Sequence, residues 1–182
     1  FLHFHCTTSE QKIALLALQE FVKAETKEDF FVLCGAAGTG KTSITSALIG
    51  YLNQTEIQYK ISAPTGRAAK VLGSYAGRQT YTIHKKIYRQ KSSKDGMGSF
   101  ILDRNLHRNT YFIVDEASMI SNSTNEISLF GSGKLLDDLI EYVYSGTDCK
   151  LILVGDPAQL PPVGSDLSPA LDPTVLKDYG FG

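Results

Sequence analysis

Apolar and polar residues are arranged along the chain as short apolar runs separated by longer amphipathic stretches. The runs are rich in aromatic and β-branched residues and predict buried strands, whereas the stretches repeat apolar residues at helical spacing and predict helices. The predicted strands are 30–34, 58–63, 111–116 and 150–156, and the predicted helices are 8–21, 42–52, 67–72, 80–86 and 135–144. Strands that alternate with helices predict a three-layer α/β domain with a mainly parallel sheet and helices on both faces.

Three further segments show no such regular pattern. Residues 88–105 contain serines, glycines and an Asp95-Gly96 pair, which fit either a mobile β-hairpin that turns near this pair or a disordered surface loop. Residues 121–134 are rich in serine, asparagine and glycine and predict a loop. Residues 165–182 carry little periodicity and predict a connector.

The length of 182 residues and the hydrophobic content of 42% predict one domain, 1–182, with a sizeable core. No apolar run approaches the roughly 20 residues of a membrane span, and the N-terminus lacks the apolar segment of a signal peptide. We therefore expect no membrane partner. The three cysteines are widely spaced, and Cys34 closes a predicted core strand. This predicts a buried, reduced thiol and a reducing, cytoplasmic location.

The net charge of −1 gives by itself no indication of a polyanionic partner, but the charges are unevenly distributed. Residues 57–94 contain no aspartate or glutamate and hold nine of the 18 basic residues. Such a local positive face can neutralise a nucleic-acid backbone although the whole chain is nearly neutral. The same composition also fits a solvated surface that happens to lack acids.

The residues between the first strand and the next helix match the pattern G-x-x-x-x-G-K-[ST] of a phosphate-binding loop. This loop consists of Gly35, Ala36, Ala37, Gly38, Thr39, Gly40, Lys41 and Thr42. Its glycines let successive N–H groups point inward, and the helix N-terminus adds a favourable dipole for triphosphate oxygens. Lys41 is expected to reach the β- and γ-phosphates, and Thr42 to offer its hydroxyl to Mg²⁺. The alternative is a glycine-rich turn that only joins a strand to a helix.

Polar side chains also follow the later strands, at the edge where a parallel sheet delivers residues to a site. Asp115 and Glu116 end the third predicted strand. In a phosphate-loop enzyme, the first acid holds Mg²⁺ through water and the second orients and deprotonates the attacking water. Gln159 lies in a stiff, proline-rich loop, either as a sensor of the γ-phosphate or as a plain polar residue of that loop.

Two residues near helix starts have both a local and a functional interpretation. Thr8 and Gln11 fit a capping box, but the Gln11 amide can also pair with the donor and acceptor of adenine. Thr65 precedes the predicted helix 67–72. Together with the free N–H groups of that helix, its hydroxyl can hold a phosphate of a polynucleotide.

Four segments, in this order and spacing, resemble motifs I, Ia, II and III of superfamily-1 DNA helicases. They are 35–42, 63–70, 113–120 and 153–164. Their amino-acid sequences most resemble those of the RecD-like subgroup, whose members move 5′ to 3′ on single strands. The resemblance implies a RecA-like phosphate-loop motor lobe that uses ATP and Mg²⁺.

The resemblance also assigns roles to individual residues. It implies that Lys41 and Thr42 bind phosphate and Mg²⁺, that Asp115 coordinates the metal and that Glu116 activates water. It further implies that Gln159 couples the γ-phosphate to the DNA side. The family places its adenine-reading glutamine at the position of Gln11. The residues that it places near single-stranded DNA are Pro64, Thr65, Arg67, Thr82 and His84.

The family's motifs IV, V and VI, on a second RecA-like lobe, do not occur in this sequence, nor do the arginines that this lobe contributes. We therefore expect the first lobe of a longer protein, which binds nucleotide, hydrolyses it poorly and does not unwind DNA alone. Residues 88–105 fall where the family carries its small 1B insertion, which is short here. Two rival functions are a small-molecule kinase and an ATP-gated DNA-binding module without catalysis. Loading partner, oligomeric state and pathway stay open, with DNA repair, replication restart and mobile-element transfer as candidates.

Overall fold

A computed structural model describes residues 8–23, 29–91, 98–124, 129–162 and 164–181 of the chain. Its centre is a five-stranded parallel sheet with the order β1-β7-β6-β2-β3. The strands of this sheet are β1 Phe30–Cys34, β2 Gln58–Ala63, β3 Tyr81–Thr82, β6 Thr110–Val114 and β7 Lys150–Gly155. The four predicted strands are therefore confirmed, and the short edge strand β3 was not predicted.

Six α-helices surround the sheet in the described part of the chain. They are α1 Ser9–Lys23, α2 Lys41–Gln54, α3 Gly66–Ala76, α4 Ile83–Ile87, α5 Leu135–Tyr144 and α6 Pro173–Asp178. Two of them begin at threonine caps. The hydroxyl of Thr65 accepts a bond from the N–H of Ala68, and that of Thr82 accepts one from Lys85, both at 3.2 Å. None of the described helices is long and apolar enough to cross a membrane.

Buried side chains form one apolar core on each face of the sheet, which confirms the three-layer α/β prediction. Tyr111 and Ile113 of β6 pack with α1 and α2, whereas Phe112 and Val114 pack with α4 and α5. Successive residues of a strand point to opposite faces, so a strand covered on both faces must be apolar throughout. All five residues of β6 are buried, as this arrangement requires.

Residues 88–105 contain a two-stranded antiparallel ladder beside the main sheet. Strand β4, Tyr88–Gln90, pairs with β5, Phe100–Leu102. Of the two alternatives for residues 88–105, the β-hairpin therefore agrees with the paired strands β4 and β5. The predicted turn near Asp95-Gly96 lies outside the described residues.

The segment 165–182, which the sequence predicts to be a connector, instead packs onto the domain. It forms a 3₁₀ helix, Pro169–Leu171, followed by α6. Leu171 and Leu176 are buried, and the Tyr179 hydroxyl donates a hydrogen bond to the Asp137 carboxylate. These elements span one or two turns each, so they are too short for a helical period to stand out in the sequence.

The prediction of a buried Cys34 thiol is wrong, because its side chain is exposed. Cys34 is the last residue of β1, and β1 is an edge strand of the sheet. The pattern of apolar residues in β1 indicates a core strand, but Cys34 itself lines pockets at the end of this edge strand. Cys149 is the buried thiol among the described residues.

Candidate functional site

The loop of residues 35–42 is anchored at the carboxyl end of the sheet. The N–H of Gly35 donates to the carbonyl of Gly155 on β7 at 3.2 Å, so the loop starts beside that strand. Gly38 and Gly40 have φ angles of 79° and 91°, a left-handed conformation that suits glycine. Gly40 then caps α2, whose first N–H groups face the loop. Strand, tight loop and helix N-terminus together form the geometry that binds phosphate.

Lys41 lies inside this loop and connects it to an acid that the sequence analysis did not select. Its Nζ atom donates to the carbonyls of Gly35 at 2.5 Å and Ala36 at 2.9 Å. It also lies 3.9 Å from Oδ2 of Asp156, which is only 3% exposed. Asp156 follows β7 directly, and its other oxygen accepts a bond from the N–H of Ala158. The signal for Asp156 was present, since an acid at the end of a buried parallel strand lies at the same edge as Asp115.

Gln11 makes both a local contact and a contact with the loop. Its backbone N–H donates to the hydroxyl of Thr8 at 3.2 Å, which confirms the capping role of that threonine. Its side-chain amide donates to the carbonyl of Thr39 at 3.0 Å. Gln11, Thr39 and Lys41 line one pocket of about 520 Å³. The glutamine that the sequence analysis associates with adenine therefore lies at the phosphate-binding loop.

Asp115 and Glu116 follow β6 at the same edge of the sheet. The N–H of Asp115 donates to the carbonyl of Ser62 on β2 at 3.1 Å, and Oδ1 of Asp115 accepts the N–H of Glu116 at 2.9 Å. Burial raises the pKa of Asp115, and the nearby Lys41 ammonium opposes this rise. Burial also raises the pKa of Glu116, and the neighbouring Asp115 raises it further. A carboxylate with a raised pKa is a better proton acceptor near neutral pH.

The backbone of Glu116 is in an unusual conformation for a residue with a side chain. Its φ angle of 55° lies in the left-handed region, where it caps a 3₁₀ helix, Ala117–Met119. Such a conformation costs of the order of 1–2 kcal/mol and persists only when the surroundings enforce it. Strained residues of this kind cluster at functional sites.

Gln159 contacts the short helix that follows the two acids. Its Oε1 accepts a hydrogen bond from the hydroxyl of Ser118 at 3.1 Å. The backbone N–H of Gln159 donates to the carbonyl of Asp156 at 3.2 Å. The loop after β7 is thus linked to the acidic end of β6 through one glutamine.

The oxygens of Thr42 and Asp115 fit a hard divalent cation such as Mg²⁺. Thr42 is exposed on the first turn of α2, and Asp115 is close enough to Lys41 to respond to its charge. Within the described ranges, no group of three or more His, Cys, Asp or Glu side chains lies together to hold a metal. Mg²⁺ is usually bound by one or two protein oxygens together with phosphate oxygens and water, and this donor set suits that arrangement.

The residues that the sequence analysis associates with DNA lie on two neighbouring strand ends. Pro64, Thr65 and Arg67 follow β2, and Thr82 ends β3, where it pairs with Ala63. The hydroxyls of both threonines accept helix N–H groups, so each retains its own O–H for donation. Arg67 is exposed on the first turn of α3. These residues form one continuous edge next to Asp115, since β2 adjoins β6.

His84 is only partly available at this edge. Its ring centre lies 5.0 Å from that of Phe130 and 5.7 Å from that of Tyr88. Burial lowers the pKa of His84, so a neutral imidazole is favoured at physiological pH. The ring therefore serves in the packing of α4 as well as bordering the edge.

Comparisons with known proteins agree with this geometry. The AAA domain family matches residues 18–165 of the chain. The ATP-dependent RecD2 DNA helicase of Deinococcus radiodurans is 33% identical over 139 residues, which cover 75% of this chain and 16% of that protein. An uncharacterized protein of Acanthamoeba polyphaga mimivirus is 28% identical over 196 residues, with 95% of this chain and 37% of that protein covered.

One solved structure also has a similar fold. The Pif1 helicase from Candida albicans superposes with a TM-score of 0.54 at 20% identity, and the match covers 88% of this chain and 34% of that chain. The chain thus spans 16% and 37% of the two curated relatives above and about a third of this structure.

Proposed function

The chain belongs to the AAA domain family and has the fold of a superfamily-1 helicase RecA-like lobe, and from this premise we propose that it is the ATP-binding motor lobe of a DNA helicase. The longer protein would couple ATP hydrolysis to translocation on single-stranded DNA and to duplex unwinding. A second RecA-like lobe of the same protein would complete the nucleotide site. Translocation from 5′ to 3′ is part of this proposal because the sequence resembles the RecD-like subgroup.

One observation carries the proposal: the nucleotide candidates and the DNA candidates share one edge of the sheet. The phosphate-binding loop, the two acids and Gln159 follow β1, β6 and β7, whereas Thr65 follows β2 and Thr82 ends β3. The N–H of Asp115 donates to Ser62, two residues before Pro64. The acids and the proposed DNA edge are therefore joined by a backbone hydrogen bond.

In the nucleotide site, the N–H groups of residues 35–42 and the ammonium of Lys41 would hold the triphosphate. Thr42 and Asp115 would hold Mg²⁺, which supplies charge neutralisation on the phosphate oxygens. Glu116 would accept a proton from the attacking water, which its raised pKa favours. Gln159 would respond to the γ-phosphate through its hydrogen bond with Ser118. Gln11 would read adenine at the loop that it already contacts.

On the DNA side, Pro64, Thr65 and Arg67 would meet the strand at β2, and Thr82 and His84 at β3. The two threonine hydroxyls would donate to backbone phosphates while they continue to accept helix N–H groups. The ladder of β4 and β5 would correspond to the small 1B insertion of the family. Its three-residue strands offer little surface for separating a duplex.

The experiment that tests the proposal is steady-state ATP hydrolysis by the longer protein, with and without a single-stranded oligonucleotide. We expect strong stimulation by the oligonucleotide, and we expect Glu116→Gln to abolish hydrolysis while sparing ATP binding. Healthy turnover that DNA does not change would contradict the DNA half of the proposal and would favour a kinase-like enzyme. Robust unwinding by the 182-residue chain alone would contradict the need for a second lobe.

A further inference from the structure

A groove with three cations lies beside the proposed DNA edge, between α3 and the segment that leads into β3. It has a volume of about 420 Å³. One wall is a face of α3 that includes Gly66, Lys70 and Gly73, and the other wall includes Arg78 and Lys85. Three of the residues that line the groove are therefore cationic, and no lining residue is acidic.

The cations of this groove carry no ionic partner within the described ranges. The ion pairs in the described part of the chain are formed by other cations, namely Lys41, Arg89 and Lys134. The Arg78 guanidinium lies 4.8 Å over the Tyr59 ring, and the Lys85 ammonium lies 4.8 Å over the Tyr81 ring. Aromatic rings orient these charges without neutralising them. All three side chains are exposed, so their charge is available to a polyanion.

The shape of the groove depends on a close approach between its walls. A Cβ atom at Gly73 would lie 3.0 Å from the carbonyl of Arg78 and 3.2 Å from the hydroxyl of Thr80. The absence of a side chain therefore lets α3 lie directly against the Arg78–Thr80 segment. The two walls of the groove are therefore in direct contact, with Lys70 on one wall and Arg78 and Lys85 on the other.

The groove continues away from the proposed DNA edge. Gly66 starts α3 next to Thr65, and Arg78 follows the other end of the helix. At 1.5 Å per residue, the 11 residues of α3 span about 16 Å. A strand that leaves the threonines can thus run along the groove for more than one nucleotide.

We propose that the groove between α3 and β3 binds backbone phosphates of single-stranded DNA that flanks the segment held by Thr65 and Thr82. Lys70, Arg78 and Lys85 supply the charge for these additional contacts. The inference rests on the proposed DNA-binding function, because it extends the same strand. It adds contacts that do not depend on base sequence.

The test measures the salt dependence of binding, because each phosphate contact on a single strand contributes about 0.7 to the slope of log affinity against log salt. Fluorescence anisotropy follows the binding of labelled oligothymidylates of increasing length to the 182-residue chain. The variant is Lys70→Gln with Arg78→Gln. The matched control is Lys23→Gln with Lys177→Gln, which removes the same charge from exposed positions on α1 and α6.

For the groove variant, we expect a slope that is shallower by about 1.4, so that the affinity lost between about 50 and 200 mM salt is about sevenfold smaller than for wild type. The difference should be present for long oligothymidylates and absent for the shortest ones that bind. The control should keep the wild-type slope. If Arg78→Gln disturbs folding by loss of its contact with Tyr59, Lys70→Gln alone should change the slope by about 0.7.

Two results would overturn the inference, and they are distinguishable. Wild-type binding with an unchanged slope in the groove variant would remove the groove and leave the proposed function intact. No salt-dependent binding of oligothymidylate by the wild-type chain would remove the proposed DNA function, and the groove would fall with it.

Discussion

Gly155 is the position where the structure predicts the clearest effect of a single added methyl group. It ends β7, and its carbonyl accepts the N–H of Gly35. A Cβ atom there would lie 2.7 Å from a methyl group of Leu171, 3.1 Å from the N of Ser118 and 3.4 Å from the N of Ala117. The leucine methyl can rotate away, but the two backbone atoms belong to the 3₁₀ helix that Glu116 caps.

The magnitude follows from the cost of inserting a methyl group into a well-packed region, which is about 1–3 kcal/mol. For a domain of this size, each kcal/mol lowers Tm by about 2–4 °C, so Gly155→Ala should lower Tm by about 2–12 °C. Because the displaced helix carries Ser118, which holds Gln159, we expect ATP hydrolysis to fall more than the loss of folded protein explains.

Guanidinium chloride unfolding measures the loss of stability in Gly155→Ala, and Gly50→Ala is the matched control. Gly50 lies inside α2, and a Cβ atom added there would have no neighbour within 4 Å outside the backbone of its own helix, so alanine should stabilise the helix by about 0.5–1 kcal/mol. The same substitution should therefore have opposite signs at two positions. Equal effects at Gly155 and Gly50, or a stabilised Gly155→Ala, would refute the close approach of β7 to the 3₁₀ helix.

Three further predictions concern single groups. Glu116→Gln should leave Tm nearly unchanged and lower ATP turnover by about 10²–10⁴-fold, as expected for a lost general base; a turnover near wild type in a steady-state assay would contradict that role. Tyr88→Phe should cost about 1.5–3 kcal/mol in denaturant unfolding, because the Tyr88 hydroxyl donates at 2.5 Å to the carboxylate of Asp138, which is only 3% exposed; a neutral result would mean that this carboxylate finds another donor. Burial raises the pKa of Tyr88 above the ordinary value near 10, so the contribution of Tyr88 to the free energy of unfolding is complete below about pH 10 and declines above it by up to about 1.4 kcal/mol per pH unit. Denaturant unfolding between about pH 9 and 11 should therefore show a shallower decline of stability for Tyr88→Phe than for wild type. Parallel declines for the two proteins would contradict this.

The sequence predicted best those elements whose pattern depends on local spacing and full burial. Residues 58–63 and 135–144 form a strand and a helix with the predicted bounds, because their apolar residues recur at the period of the element. The cap by Thr8 at the start of α1 was also predicted, since a cap acts on an N–H group three residues away.

Features that depend on long-range contacts could not be predicted from the local sequence pattern. Strand β3 has two residues, and its pairing with β2 defines it. The exposed Cys34 follows from the position of β1 at the sheet edge, which local pattern does not reveal. The contacts of Gln11 with Thr39 and of Asp156 with Lys41 likewise join residues that are distant in sequence. The motifs indicated which loops form the site, and the fold determined which atoms meet there.

The central claim is that residues 35–42 and Gln11 form an ATP site, and equilibrium titration of the 182-residue chain with Mg²⁺ and ATP tests it most directly. Lys41→Ala is the variant, because its ammonium would make the charge-assisted contacts with the phosphates. We expect one saturable site in the wild type and an affinity reduced by about 1.5–3 kcal/mol, or about 10- to 150-fold, in the variant. Equal affinities for the two proteins, or no binding by the wild type, would contradict the account.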